Sequence, residues 1–383
     1  MVNYLNQLKS PQINHKLIFE VMRDLRKGGL NPSNFEEFMQ IIEKLPPINL
    51  RTNADFKEFE KLGLVDVSQS DFDSIIREVI MRCTSLSKKC WHPLASSTTC
   101  NVDSSGNIII SGAHSIQNNG VLSLIAEDSH VVTFAFEEGG FYAKKLSKNV
   151  ASIFLGFCNT HDSIFKPIEI DSYIGSEEQH FLFAYRGFVV GSHKKLEVSR
   201  FINYGTQSEN DIKKNKEIFD NALLKNDFSV IETKVVELPV FYPIAVSSMF
   251  YLDFDFEGNP ISHSDERMEF VYVTLLPTIN KTYFLISYLK RDNHLYGHLG
   301  DQMRRRNKFK SDISIILAVH TGNIFFNPTY YDTFIKVHEQ NMEEIFIQSQ
   351  IDIGFMNDYD DFSFSITPKN YLDNPYEINL FGY

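Results

Sequence analysis

The sequence predicts an α+β protein, and three observations lead to that class. Residues 1–83 place apolar residues at helical spacing. Residues 236–383 carry aromatic and β-branched runs bounded by turn residues. The stretch between them gathers three of the four cysteines among short strands and turns. Four segments follow: a helical N-terminal segment at 1–83, a metal-binding central domain at 84–185, a helical connector at 186–235 and a β-rich C-terminal domain at 236–383. Of the 383 residues 43% are hydrophobic and 33 are Phe, which is enough apolar surface for one or more cores and excludes a disordered chain.

Taken in order, Leu17–Met22 and Phe35–Ile42 read as helices, the second capped by Asn34 and stopped by Pro46 and Pro47. A third helix starts near Asp71, with Phe72, Ile75, Ile76, Val79, Ile80 and Cys83 on one face, so Cys83 reads as a core thiol. Asn107–Ile110 and His130–Phe134 read as strands, Asn119–Asp128 as a short helix, and Gly139-Gly140 as the start of a loop. Phe181–Tyr185 opens a long helix running past Lys195. A break at Asn203–Gly205 follows, and then Asp211–Lys225, a solvated helix or hairpin arm. Phe241–Phe256, Met268–Leu276 and Tyr283–Tyr288 read as strands, and Tyr331–Phe346 as a helix after Asn327-Pro328.

The net charge of −12 argues against a protein that coats nucleic acid without specificity, because the overall field repels phosphate; a local basic patch for DNA or RNA remains open. No apolar run approaches the ~20 residues of a membrane span, and the start MVNYLNQLKS lacks the charged and apolar regions of a signal peptide, so a soluble, cytoplasmic protein without membrane contact is expected. A P-loop, a nucleophile elbow and paired C-x-x-C motifs are all absent from the sequence.

The chemistry concentrates on Cys90, Cys100 and the pair Cys158-x-x-His161. Cys/His ligands supplied as two pairs from two turns are what a tetrahedral structural zinc takes, so these four are the expected ligands, with His92 and His114 as substitutes. Asp162, next in the chain, is either a further metal ligand or a partner that orients His161.

In the order Cys…Cys, then Ala113-His114-Ser115-Ile116-Gln117 with Asn118 and Asn119 before a helix, then Cys158-x-x-His161-Asp162, residues 90–162 resemble the HNH, or ββα-metal, nucleases built on a treble-clef zinc site. The resemblance implies a zinc-stapled treble-clef-like domain that hydrolyses phosphodiesters. His114 is then the general base, Asn118 or Asn119 orients it, and Asp162 ligates a catalytic Mg²⁺ or Mn²⁺. Two departures stand out: Ala113 fills a position where the family has a metal-binding Asp, and the first pair is spaced C-x9-C. The phrases Cys90-Trp91-His92-Pro93, Ala113–Gln117, Ser129-His130-Val131, Phe157–Asp162 and Phe181–Arg186 also look like those of an uncharacterised group of bacterial proteins associated with mobile or defence loci. That likeness implies a role in antiphage defence and a unit joining the Cys/His residues to Glu169 and Arg186. The competing expectation is a non-catalytic, zinc-stapled module that binds a protein or a nucleic acid.

Three further features carry candidate roles. Arg304, Arg305 and Arg306, with Lys308 and Lys310, form the most basic run and the expected phosphate contact or charged loop, together with Arg186. Asp253 and Asp255 are expected on one face of a strand, where paired carboxylates bind Mg²⁺ or exchange protons. His130, at a strand start, is expected to be structural.

Overall fold

The computed structural model describes residues 88–137, 140–199, 205–264, 266–320 and 322–342, together with Ile345, Asn374 and 376–382. The expected helices of 1–83, with Asn34, Pro46, Pro47 and Cys83, lie outside the described residues. Nine strands are described: β1 (Ser111–His114), β2 (His130–Glu137), β3 (Gly140–Ser147), β4 (Ile153–Phe157), β5 (Ile231–Leu238), β6 (Ile244–Phe250), β7 (Val271–Pro277), β8 (Thr282–Leu289) and β9 (Ile324–Phe326). The longer helices are α1 (Glu177–Ser199), α2 (Gly205–Lys225), α3 (Leu299–Arg306) and α4 (Phe309–His320). The class is therefore mixed helix and sheet with antiparallel pairing, as expected of α+β.

Seven strands form one sheet in the order β3-β2-β9-β6-β7-β8-β5, every pair antiparallel, while β1 and β4 pair separately. The alternation of strand side chains decides what covers each face. On β7 and β8, Val271, Val273, Leu275, Phe284, Ile286 and Tyr288 point into one core with Leu299 and Met303 of α3 and Ile313, Ile316 and Leu317 of α4. Their alternates Tyr272, Leu276, Leu285 and Leu289 point into a second core with Phe181, Tyr185 and Phe188 of α1, Phe219 of α2, and Trp91, Phe157 and Phe165 of the Cys/His segment. The central strands are buried on both sides, so they read as continuous apolar runs.

Helix α1 crosses β6 closely. A Cβ at Gly187 would sit 3.0 Å from the Ser248 carbonyl oxygen, and one at Gly191, a helical turn on, 3.0 Å from Met249 Cβ. A side chain at either position would force β6 or the helix to shift, so glycine permits this approach.

Strands β2 and β3, from within 84–185, hydrogen-bond into the same sheet as the strands of 236–383, so the sheet spans a boundary drawn from composition. Several local expectations are corrected. Asn107–Ile110 is not a strand: the Asp103 carboxylate accepts the Ser105 and Asn107 amides, closing a tight turn that leaves only the bridge Val102–Ile108. Gly140 begins β3 rather than a loop, and Ile231–Leu238, whose first five residues are expected to end the helical connector, is strand β5. Both are edge strands, and the charges Lys144, Lys145, Glu232, Lys234 and Glu237 that blunt such edges hide their β character. The C-terminal segment also contains α3 and α4. Ile313–Val319 is apolar except for Ser314, whose Oγ accepts from Leu380 N–H, because α4 is buried along nearly its whole length. The expected helical stretch Tyr331–Phe346 is helical as far as it is described, as a π-helical turn Tyr331–Ile335, a 3-10 turn Lys336–His338 and α-helix over 339–342, with Phe346 outside the described residues.

Candidate metal centre

The segment before β4 enters alongside it. Lys89 N–H donates to Leu155 O and Trp91 N–H to Gly156 O, which fixes Cys90 beside the strand. The chain then turns through 92–100, where Ala95 N–H donates to His92 O and Cys100 N–H to Ser96 O, returning Cys100 to the same place. Strand β4 ends at Phe157, Cys158 follows in extended conformation, and the helical run Asn159–Glu169 begins, lifting His161 one turn above Cys158. Asn101 Oδ1 accepts from Thr160 N–H and Oγ1–H, which ties the second cysteine loop to this helix start.

Four ligand atoms thereby converge. His161 Nδ1 lies 3.5 Å from Cys90 Sγ, 3.4 Å from Cys100 Sγ and 3.3 Å from Cys158 Sγ, and Cys90 Sγ lies 4.0 Å from Cys158 Sγ. All four are within 4.8 Å of one another and all four residues are buried. Metal–sulfur bonds of ~2.3 Å and metal–nitrogen bonds of ~2.0 Å at tetrahedral angles require separations of about 3.8 and 3.5 Å, so this group can hold a metal ion and fits zinc.

The electrostatics agree. Burial pushes the Cys90 thiol up to about 12, with backbone amides offsetting only part of the rise, and burial also raises Cys100. At Cys158 burial acts upward too, but backbone N–H groups at His161 and Asn101 and the other two thiols outweigh it and lower the group. Three sulfurs this close can all lose their protons only around a cation. Burial lowers His161, which favours the neutral ring that has a lone pair to donate.

Neither proposed substitute joins the group. The His92 ring stacks on His161 while its Nδ1 accepts from Leu94 N–H. His114 ends β1 with Nδ1 on Ser152 Oγ at 2.9 Å. The half-buried His114 ring is lowered by burial, with Glu169 acting upward and Arg186 and Lys148 downward.

Asp162 is not among the four converging ligands, and the charges that act on it are those of the other two members of the expected unit. Burial pushes its carboxyl up to about 6, Arg186 holds it down, and Glu169 adds to the rise. Arg186 is ion-paired with Glu169 and its guanidinium lies 4.2 Å from the centre of the Phe165 ring. Among the described residues no second group of three or more ligating side chains exists, so Asp162 is not part of a prepared cage for Mg²⁺ or Mn²⁺.

The remaining candidates are placed as follows. Asn118 accepts from Lys148 Nζ and donates to Asn149 Oδ1, so its amide is committed away from His114. Asn119 is exposed in the wide turn Asn118–Leu122. His130 Nδ1 lies 2.7 Å from Asp128 O, a local structural bond. The basic run is the end of α3 rather than a loop, and each arginine meets a carboxylate: Arg304 with Asp301, Arg305 with Glu257, Arg306 with Asp312. Asp253 and Asp255 do not share a strand face, because β6 ends at Phe250. Asp255 folds the following turn by accepting Glu257 and Asn259 amides.

Two residues carry no sequence signal for the roles they have. Ser152 meets His114 from 38 positions away, and Asn101 ties together the two ligand-bearing segments. No described helix is long and apolar enough to cross a membrane. Comparison with family models, with curated proteins and with solved structures finds no match.

Proposed function

We propose that the Cys90, Cys100, Cys158 and His161 group binds one structural zinc, and that the chain is an HNH-like hydrolase of phosphodiesters in DNA or RNA, acting in the bacterial cytoplasm in antiphage defence. Zinc held by four protein ligands has no open position, so it contributes folding energy and leaves the chemistry to its neighbours. The observation that carries the reading is the order β1, β4, helical run Asn159–Glu169 around the metal group, with His114 ending β1 where Glu169 and Arg186 act on its ring. His114 is the base that takes a proton from water, and Arg186, one of the two cations acting on its ring, is assigned to the charge that develops. A divalent Mg²⁺ or Mn²⁺, when bound, supplies Lewis acidity at the phosphate.

A second reading is favoured by a specific observation. Glu169 is engaged by Arg186, Ala113 offers no carboxylate, and no second ligand cage is present among the described residues. On that reading the zinc staples a module that binds a nucleic acid or a protein without cutting. The test uses the full zinc-loaded chain with supercoiled plasmid or with RNA, in Mg²⁺ or Mn²⁺. Cutting that falls about a hundredfold or more in His114→Ala supports hydrolysis with His114 as base. Equal cutting by both proteins removes His114 from the mechanism. No cutting in either metal, with zinc in place, selects the binding module.

A further inference from the structure

We propose that Ser152 is a positioning residue that holds His114 in the tautomer protonated on Nδ1, so that the ring exchanges protons only through Nε2. The consequence for catalysis rests on the reading of His114 as the base; the tautomer itself does not.

Ser152 is buried, and its Oγ lies 3.0 Å from Ile116 O and 2.9 Å from His114 Nδ1. A hydroxyl has one hydrogen, and a carbonyl oxygen only accepts. The hydrogen therefore goes to Ile116 O, and Oγ presents a lone pair to the ring, which Nδ1 can meet only as N–H. The reverse arrangement would turn Oγ–H to Nδ1 and set two oxygen lone pairs against each other at 3.0 Å inside the protein.

Backbone pairing prevents escape from this arrangement. Ser115 N–H donates to Ser152 O at 2.8 Å, and His114 pairs with Ile153 in the β1–β4 ladder, so both side chains stand on the same short ladder. The imidazolium also carries Nδ1–H, hence the bond to Ser152 survives protonation and the ring need not flip between the two halves of a proton transfer. Nε2 takes no partner among the described residues, and the charges acting on the ring are Glu169, Arg186 and Lys148.

The test is nitrogen NMR on the full, zinc-loaded chain labelled with ¹⁵N-histidine, above neutral pH. Two-bond nitrogen–proton correlations distinguish the protonated ring nitrogen from the bare one, and His114 is assigned by its loss in His114→Gln. The expected pattern is Nδ1–H in the native chain, retained in Ser152→Thr, which keeps the hydroxyl, and lost to a tautomer mixture in Ser152→Ala. An Nε2–H pattern or a mixture in the native chain overturns the proposal, and this measurement needs no variant that folds. An Nδ1–H pattern that persists in Ser152→Ala with zinc content unchanged also overturns it. Cutting is scored separately. A native chain with the Nδ1–H pattern that cuts nothing sustains this proposal and defeats the hydrolase reading. Where the native chain cuts, Ser152→Ala slows it about tenfold, a fraction of the two to four orders a positioned base contributes, and Ser152→Thr restores it.

Discussion

His92 lies flat against the ligand His161, with ring centroids 4.0 Å apart and planes inclined by 10°. It donates nothing to the metal group. It covers one face of the imidazole proposed to hold the zinc, as supporting residues around metal ligands do. Protein purified without an affinity tag is expected to carry about one zinc per chain. Replacing Cys90, Cys100 or Cys158 by Ser, or His161 by Ala, abolishes stoichiometric zinc. His92→Ala keeps the stoichiometry and weakens affinity about tenfold, read by competition with a chelator of known strength. Lost stoichiometry in His92→Ala would make His92 a ligand and contradict the placement of its ring.

The pair Glu169–Arg186 is asymmetric in exposure: the arginine side chain is 4% exposed and the glutamate 24%. Removing the carboxylate strands a buried guanidinium, whereas removing the guanidinium leaves a carboxylate that reaches water. Glu169→Gln is expected to cost about 2 kcal/mol, below the usual range for breaking a buried pair because solvent already screens the glutamate. Arg186→Met, which keeps apolar packing on Phe165, costs about 1 kcal/mol. Urea unfolding of the zinc-loaded proteins measures both, and equal losses would show that the pair is screened throughout.

What could be read in advance was local. Cys158-x-x-His161 is legible because one helical turn puts both donors on the same side, and the β6, β7 and β8 runs are legible because burial on both faces demands apolar residues at successive positions. What could not be read depends on distant partners. Arg305 meets Glu257 from 48 positions away, so a charge-paired helix end had the appearance of a free basic run. Ser152 has no pattern of its own, because its role exists only once β1 and β4 pair. Asn118 occupies the place the HNH resemblance assigns to an orienting residue, yet Lys148 and Asn149 hold its amide.

The three arginines of α3 are expected to behave differently from one another. Arg304 and Asp301 are both exposed, as are Arg305 and Glu257, and such pairs are worth little. Arg306 is 19% exposed against an Asp312 that is 1% exposed, and it also donates to Phe256 O. Arg304→Ala and Arg305→Ala should leave stability within about 0.5 kcal/mol, while Arg306→Ala should cost about 2–3 kcal/mol because it leaves a buried carboxylate without its counter-charge. Nucleic-acid affinity, if present, should change little in the first two variants. A large loss of affinity at constant stability in Arg304→Ala would restore the run as a phosphate contact.

Asp255 gathers donors from two elements. Its Oδ1 accepts the Glu257 and Asn259 amides, and its Oδ2 accepts Asn259 Nδ2 and Gln302 Nε2, joining the turn after β6 to α3. Burial acts to raise this carboxyl, but the Asn259 and Gln302 side chains and the backbone amides outweigh it and hold the group below its ordinary value. The sign follows from proton counting. As pH falls through the ordinary carboxylate range of about 4, the unfolded chain takes up a proton before the folded one does, so the stability Asp255 contributes is complete above that range and drains away below it. Asp255→Asn keeps the acceptor Oδ1 but turns an amide toward Asn259 Nδ2 and Gln302 Nε2, which costs about 2 kcal/mol at neutral pH. The native protein should therefore exceed the variant in denaturant midpoint near pH 6, and the gap should narrow steadily toward pH 3. A gap that stays constant across that interval would mean that the carboxylate is not held in its charged form by these donors.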